Sequence, residues 1–337
     1  MQQRKALALL SGGLDSTLAV KMMLDMGIAV EALNFTSSFC NCTGKNAGCK
    51  SEAVRVAQEF NIPIKVIHKG VDYLEIVRNP KHGYGKGVNP CVDCRIYLLR
   101  KAKEYMAECG ADFVITGEVL GQRPMSQRRD SLRVIERESG LEGLLLRPLS
   151  AQHFEPTIPE KEGWVDREKL LAIKGRSRKE LFELADELDV ANYPCPAGGC
   201  LLTELSFVPK IKDMFDHSDE QLDARDFRLL KIGRHFRLGK RTKMILGRDE
   251  VDNNQLENIR QQHEEALTWM DGNTPVGVII GDQDYDRQLA AQILLRYTKA
   301  PAGEPCRLSL RHNGSEQELQ VPYTMTPAEV EQYIISL

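Results

Sequence analysis

The run Ser11-Gly12-Gly13-Leu14-Asp15-Ser16 constrains this chain more than any other segment. It follows the apolar stretch Ala6-Leu7-Ala8-Leu9-Leu10 and precedes a helical pattern from Thr17 to Met26. The order is strand, glycine turn, helix N-terminus. Successive backbone N–H groups in such a turn point outward and the helix dipole adds partial positive charge, so an anion is held there. Two glycines let the backbone approach a phosphate closely. Ser11 and Ser16 supply hydroxyl donors, and Asp15 can reach a metal ion or a reacting group. An ordinary tight turn would not need all of these residues and both flanks. The other common phosphate loop, G-x-x-x-x-G-K-[ST], has no match. Gly239-Lys240-Arg241 lacks the final Ser or Thr, and Gly233 stands one residue out of step.

A chain of 337 residues is expected to form two domains. Its hydrophobic fraction of 42% suits a globular core. The net charge of −3 supplies no global field toward nucleic acid, so any RNA contact must come from local patches. No apolar run reaches the length of a membrane span, and the chain enters a strand at once without a signal peptide. The expected location is cytoplasmic. There, nine cysteines serve as reduced, metal-bound or catalytic thiols rather than structural disulfides.

The first two hundred residues alternate strand and helix. Apolar β-branched runs lie at Ala29–Phe35, Ile64–Ile67 and Phe113–Thr116, with a last strand at Leu144–Leu149. Helical patterns lie at Ser51–Phe60, Tyr97–Glu108, Arg128–Glu138 and Ser177–Leu188. This alternation predicts a parallel sheet wrapped by helices, with the ligand crevice at the carboxyl ends of the strands. A boundary follows Pro194-Cys195-Pro196-Ala197-Gly198-Gly199-Cys200, giving domains 1–204 and 205–337. The second region reads as a smaller α+β domain. Strands are expected at Arg228–Ile232, Thr242–Gly247 and Pro275–Ile280, and helices at Asp252–Met270 and Arg287–Tyr297. Arg307–Arg311 and Gln317–Val321 flank the hairpin signal His312-Asn313-Gly314-Ser315. A last helix starts with Thr326 at N-cap, Pro327 at N1 and Glu329 at N3.

Asn89-Pro90-Cys91-Val92-Asp93-Cys94 sits at the start of the Tyr97 helix. A CxxC there is expected to have lowered thiol pKa values and to aim two thiolates at one point. Cys195 and Cys200 follow far downstream in the Pro- and Gly-rich turn. CxxC plus one distant cysteine gives three ligands to a four-iron cluster, leaving one iron open for chemistry. A persulfide or disulfide pair, Cys91 or Cys94 against Cys200, fits the same spacing, and so does a structural zinc on all four cysteines. Spacing does not separate the three. Cys40, Cys42 and Cys49 form a further CxC-x6-C group after the second strand, suited to a small zinc site, a reduced loop or a sulfur relay. Cys109 and Cys306 stand alone and read as structural.

Between Phe227 and Arg248 there are basic residues and no acidic ones: Arg228, Lys231, Arg234, Arg237, Lys240, Arg241, Lys243 and Arg248. A solvated hairpin face is the plain reading. The missing acids, the local glycines and the interleaved Phe227 and Phe236 point instead to a phosphate-contacting surface. Arg123, Arg128 and Arg129 fit either an RNA or ATP contact or a solvated helix.

SGGLDS resembles the loop of the PP-loop ATP pyrophosphatases (adenine nucleotide α-hydrolase-like), which split ATP between its α- and β-phosphates. Asn89-Pro90-Cys91-Val92-Asp93-Cys94-Arg95 resembles the NP-x-x-x-C segment of bacterial tRNA 2-thiouridylases and the CxxC of archaeal-type iron–sulfur thiolases. Thr116-Gly117-Glu118 is similar to the thiouridylase Thr-Gly-His, with Glu118 in place of the histidine. Leu145-Leu146-Arg147-Pro148-Leu149 falls where those enzymes have a Leu-Arg strand. Cys91 adds a cysteine to the single-cysteine bacterial pattern, which favours a cluster over a simple persulfide. Phe227–Asn258 resembles the RNA-binding domain of the NFACT proteins.

The resemblance implies a tRNA thiolase. Ser11 to Ser16 would hold Mg-ATP, with Asn34 and Phe35 near the adenine and Thr116 and Gly117 at the nucleotide. Asp15, Cys91, Cys94 and Cys200 would carry the chemistry. Cys91, Cys94 and Cys200 would hold a [4Fe–4S] cluster, Cys200 being preferred because Gly198-Gly199 precede it, with Cys195 as a lesser candidate. Arg228, Lys231, Arg234, Arg237, Lys240, Arg241 and Lys243 would grip tRNA. The sulfur donor would be sulfide or a carrier protein, and a homodimer would suit tRNA crossing between subunits. The rival readings are an adenylating small-molecule ligase of the queuosine-precursor type with zinc, and an RNA-binding module whose ATP site regulates it.

Overall fold

The computed structural model describes residues 3–40, 49–191, 193, 200–218, 222–282 and 284–336, the side chains of Cys49 and Lys50 excepted. The chain divides into two compact units, Met1–Thr203 and Glu204–Leu337.

The first unit is built in the order β1 (Lys5–Leu9), α1 (Leu14–Asp25), β2 (Ala29–Thr36), α2 (Cys49–Glu59), β3 (Ile64–His68), α3 (Val71–Arg78), α4 (Cys91–Cys109), β4 (Phe113–Thr116), α5 (Arg129–Ser139), β5 (Leu145–Leu146), α6 (Ile158–Lys161) and α7 (Lys179–Glu187). The strands form a parallel sheet ordered β3-β2-β1-β4-β5. β1 is central because its residues are apolar on both faces, as a doubly covered parallel strand requires. Ala6 and Ala8 join a core with α1, α2 and α7, while Leu7 joins the opposite core with α4 and α5. The order reverses at β1, between β2 and β4. That is the switch point where a crevice opens beyond the carboxyl ends of the strands.

The second unit adds α8 (Val208–His217), α9 (Ala224–Leu229), β6 (Arg234–Arg237), β7 (Thr242–Leu246), α10 (Glu250–Ile259), β8 (Glu265–Trp269), β9 (Gly277–Gly281), α11 (Arg287–Arg296), β10 (Pro305–His312), β11 (Ser315–Pro322) and α12 (Pro327–Glu331). Its strands form an antiparallel sheet ordered β11-β10-β8-β9-β7-β6. Met244 and Leu246 face a core with α11, and Ile245 faces a smaller one with Leu229 and Leu256. The outer edge of β6 is covered by the C-terminal segment, where Arg237 N–H donates to Tyr333 O and Ile335 N–H to His235 O, both at 2.8 Å. Covering an edge this way removes a template for unwanted pairing.

Three expected elements differ. Arg228–Ile232 is not a strand. Asp223 caps a short helix there, accepting from Arg225 and Asp226 N–H, and the following turn delivers the chain to β6. The long helix expected over Asp252–Met270 stops at Ile259, and Glu265–Trp269 becomes β8, an interior strand between β9 and β10. β-Pairing on both sides overrides the local helical periodicity. The strand expected at Leu144–Leu149 keeps only Leu145–Leu146, because Arg147 turns away to meet two carboxylates. The hairpin and the last helix form where the sequence puts them. Asn313 and Gly314 hold φ of 49° and 76°, and Thr326 caps α12 with Glu329 closing the box.

Candidate functional site

The loop Ser11–Ser16 leaves the end of β1 and enters α1, whose N-cap Gly13 makes no side-chain cap bond. The first N–H groups of α1 are therefore open to a ligand. Gly12 holds φ at +80°, and a Cβ there would lie 2.6 Å from the backbone of Glu52 and Ala53 in α2. Only glycine lets the loop sit against that helix. Ser16 Oγ donates to Gly13 O at 2.9 Å and stands 3.1 Å from Ser11 Oγ, so the two hydroxyls are tied together. Among the described residues Asp15 Oδ1 is buried with no hydrogen-bond partner, and Arg178 Nη2 lies 3.6 Å from it. Leu14 belongs to the core beneath.

Gly117 follows β4 and closes on the same loop. A Cβ at Gly117 would lie 2.4 Å from the backbone carbon of Asp15. Thr116 is buried beside it and donates from Oγ1 to Glu118 Oε2 at 3.3 Å. Asn34 is also buried. Its Nδ2 donates to Leu10 O at 2.8 Å, which leaves Oδ1 without a partner, and Phe35 lies against the α4 core.

Glu118 takes a role the sequence did not reveal. Its side chain is 3% exposed, Oε2 is 3.2 Å from Arg147 Nε, and Oε1 is 3.4 Å from Arg95 Nε. Arg147, equally buried, also reaches Glu136 at 2.9 Å. Arg95 comes from α4 and Arg123 from the loop before α5. Arg95 pulls the Arg123 guanidinium below its ordinary value, while Cys91, Glu118 and Asp15 act on it in the opposite sense. Arg123 thus lies in the field of both the glycine loop and the first cysteine of α4.

Cys91 and Cys94 occupy the first turn of α4, with Pro90 at N-cap. Lys69 Nζ is 3.4 Å from Cys94 Sγ and 4.2 Å above the Tyr73 ring. Tyr73 is buried between Phe39 and Tyr97. Burial, then Cys94 and more weakly Cys200 and Cys91, push the Tyr73 hydroxyl up, so three cysteines share one tyrosine. The lowered value expected of a thiol at a helix N-terminus does not appear at Cys91. Burial, with Cys94 second, pushes Cys91 up, and burial pushes Cys200 up to about 11. Desolvation outweighs the helix dipole here. Cys42 and Cys195, with Gly198 and Gly199, lie outside the described residues, as does the Cys49 side chain. Among the described residues no group of three His, Cys, Asp or Glu side chains is close enough to hold a metal ion as it stands.

In the second unit the basic segment is partly neutralised by acids from elsewhere in the chain. Arg237 is gripped by Asp213 of α8, with Nε 3.0 Å from Oδ1. Arg248 meets Asp252 at 2.6 Å and Arg241 meets Asp282 at 3.6 Å. Arg234 lies 4.7 Å from the Tyr297 ring centroid. Lys243 is half-buried on the sheet face it shares with His235 and Arg237, and burial lowers its pKa. Arg228, Lys231, Lys240 and Arg241 are exposed. The same face holds Lys210, which the sequence did not single out. Its Nζ donates to Gly233 O at 2.9 Å, and burial, with Arg248 second, pushes it down to about 8.

Residues 1–157 match the family described as thiamine biosynthesis protein (ThiI), and residues 233–334 match the NFACT protein RNA binding domain. A tRNA sulfurtransferase of Histophilus somni (strain 129Pt) is 29% identical over 46% of this chain and 31% of its own length. The tRNA-specific 2-thiouridylase MnmA of Proteus mirabilis (strain HI4320) is 23% identical over 61% of this chain and 55% of its own. This chain thus spans between a third and about half the length of these relatives. A crystal structure of a 4-thiouridine synthetase–RNA complex with bound ATP aligns at 24% identity and a TM-score of 0.35, covering 56% of this chain and 52% of that one. No helix among the described residues is long and apolar enough to cross a membrane.

Two outcomes are expected. Glu118→Ala strands Arg147, so the unfolding free energy should fall by about 3 kcal/mol, the lower end for a broken buried pair because Glu136 remains. Denaturant unfolding checks this. Lys210, with its ordinary value at 10.5, is charged below pH 8 in both the folded and unfolded chain, and the cost of burying that charge is then carried in full. Between pH 8 and 10 the unfolded chain binds a proton that the folded chain does not, so this group makes stability rise with pH. Lys210→Met should remove that rise, read as the difference in unfolding free energy between the two pH values.

Proposed function

We propose that this chain is an ATP-dependent tRNA thiolase, because residues 1–157 match the ThiI family model and residues 233–334 match the NFACT RNA-binding model. One observation carries the proposal. Gly117 closes on the Asp15 backbone, and the next residue, Glu118, lies 3.4 Å from Arg95 on the helix that carries Cys91 and Cys94, which supports activating and sulfur-bearing groups serving one crevice.

ATP lies with its phosphates on the open N–H groups of Leu14, Asp15 and Ser16, helped by the Ser11 and Ser16 hydroxyls. The orphaned Oδ1 of Asp15 suits a Mg²⁺ ion. A uridine leaves its stack to reach the crevice. Its carbonyl oxygen attacks the α-phosphorus, the α–β bridging bond breaks, and pyrophosphate departs. Arg178, 3.6 Å from Asp15 Oδ1, and Arg123 would neutralise the charge that develops on the phosphates. Glu118 keeps Arg95 and Arg147 oriented. Sulfur from sulfide or a carrier protein then bonds to the activated carbon, and AMP leaves with the oxygen.

The donor chemistry fits an iron–sulfur cluster: Cys91 and Cys94 share the first turn of α4, Cys200 is the third thiol, and Lys69 Nζ lies 3.4 Å from Cys94 Sγ to offset negative charge. Cys91, Cys94 and Cys200 would hold it. When bound, such a cluster supplies a metal site that activates sulfide as a nucleophile. Reduced thiols of this kind suit a cytoplasmic setting. In the second unit, exposed Arg228, Lys231 and Lys240 contact the tRNA backbone, while Arg237 holds the domain together through Asp213.

The test is an anaerobic preparation assayed for iron, acid-labile sulfide and ATP-dependent thionucleoside formation on bulk tRNA. Cys91→Ala and Cys200→Ala should lose activity to background, and Cys109→Ala should keep it. Zinc alone with no thiolated product, or equal loss from all three variants, would overturn the proposal. For the tRNA surface, Arg228→Glu with Lys240→Glu should weaken binding and flatten its salt dependence by about 0.7 to 0.9 per lost phosphate contact. Arg237→Ala should instead lower the melting temperature.

A further inference from the structure

Cys40 and Cys200 lie opposite each other in an isolated antiparallel bridge at the edge of the crevice. Leu201 N–H donates to Phe39 O at 3.0 Å. The two cysteines do not bond to each other through the backbone. Cys40 N–H goes to Ser37 O at 3.1 Å, and Cys200 O accepts from Thr203 N–H at 2.8 Å and from Thr203 Oγ1 at 2.7 Å. They therefore occupy the narrow, non-hydrogen-bonded position of an antiparallel pair. There the Cα atoms are about 4.5 Å apart and the side chains leave the same face. That separation lies inside the disulfide range of about 4.4–6.8 Å.

The bridge is held from both sides. Val88 N–H donates to Leu202 O at 2.9 Å, and Leu202 is fully buried. Cys94 comes from the first turn of α4 and, among the described residues, has no backbone pairing with Cys200 to fix its register.

We propose that Cys40 and Cys200 are a redox-modification site, closing to a reversible disulfide on reaction with a small-molecule disulfide. The step is two thiol–disulfide exchanges. One protein thiolate attacks the small disulfide, forming a mixed disulfide and releasing one thiol. The second protein thiolate displaces the other, so the two cysteines lose two electrons and two protons and the oxidant leaves as two thiols. Closing this bond withdraws Cys200 from the thiols around Tyr73. The bond does not depend on the proposed activity; its consequence for cluster loading rests on that reading.

The experiment uses the full chain, reduced and free of iron, exposed without denaturant to oxidised glutathione, alkylated, digested and mapped by mass spectrometry with fragment ions. These distinguish Cys40 from Cys42 and Cys200 from Cys195. The expected result is a principal Cys40–Cys200 link that dithiothreitol reverses. The oxidised chain should take up no iron from ferrous iron and sulfide until it is reduced, while Cys40→Ser should take up iron equally before and after the oxidant. Cys200 linked mainly to any other cysteine, or still alkylated while other cysteines are oxidised, would overturn the inference. A Cys40–Cys200 link in a chain that takes up no iron even when reduced would uphold the bond and defeat the cluster reading instead.

Discussion

The close approach of Gly117 to Asp15 is the constraint on which the site depends. β1 and β4 pair in parallel, and the backbone that leaves β4 comes against the backbone of the loop that leaves β1. No side chain fits between them. The contact fixes Asp15 and Ser16 in the first turn of α1, and it turns the next residue, Glu118, inward. Glu118 in turn meets Arg95 on α4 and Arg147 after β5. A buried carboxylate with two arginines is costly to desolvate, and it survives because each charge has a partner. The helix that carries Arg95 also carries Cys91 and Cys94. One backbone contact thus lies beside the chain of pairs that runs from the glycine loop through Glu118 and Arg95 to the helix of the thiols.

The second unit shows how a charge pattern changes meaning on folding. Its basic segment contains no acid between Phe227 and Arg248, yet Asp213, Asp252 and Asp282 meet three of its arginines. What remains on the surface is a smaller set led by Arg228, Lys231 and Lys240. Lys210 and Lys243 are drawn toward the interior, and burial lowers both.

Local signals in the sequence carried much of this. SGGLDS lies between an apolar strand and a largely buried helix, so its place at the carboxyl end of a parallel strand followed from chain order, while the strand order that makes β1 the switch point did not. Asn313-Gly314 and Thr326-Pro327-Ala328-Glu329 dictate their own turn and cap. The rest depends on partners distant in sequence. Glu265–Trp269 looks helical until β9 and β10 flank it. Glu118 looked like a lost histidine, because Arg95 and Arg147 are not its sequence neighbours. Cys40 and Cys200 belong to separate motifs in the sequence, and only the backbone register brings them together. The dipole argument for a low Cys91 pKa met an opposing burial that the sequence does not measure.

The central claim is that ATP cleavage and sulfur insertion are one reaction in one crevice. Its most direct test is stoichiometry, with ATP labelled at the α-phosphate, tRNA and sulfide supplied under anaerobic conditions, and products counted per thionucleoside. The account predicts one AMP and one pyrophosphate for each thionucleoside formed. ADP and phosphate as products, or AMP released without any thionucleoside, would contradict it.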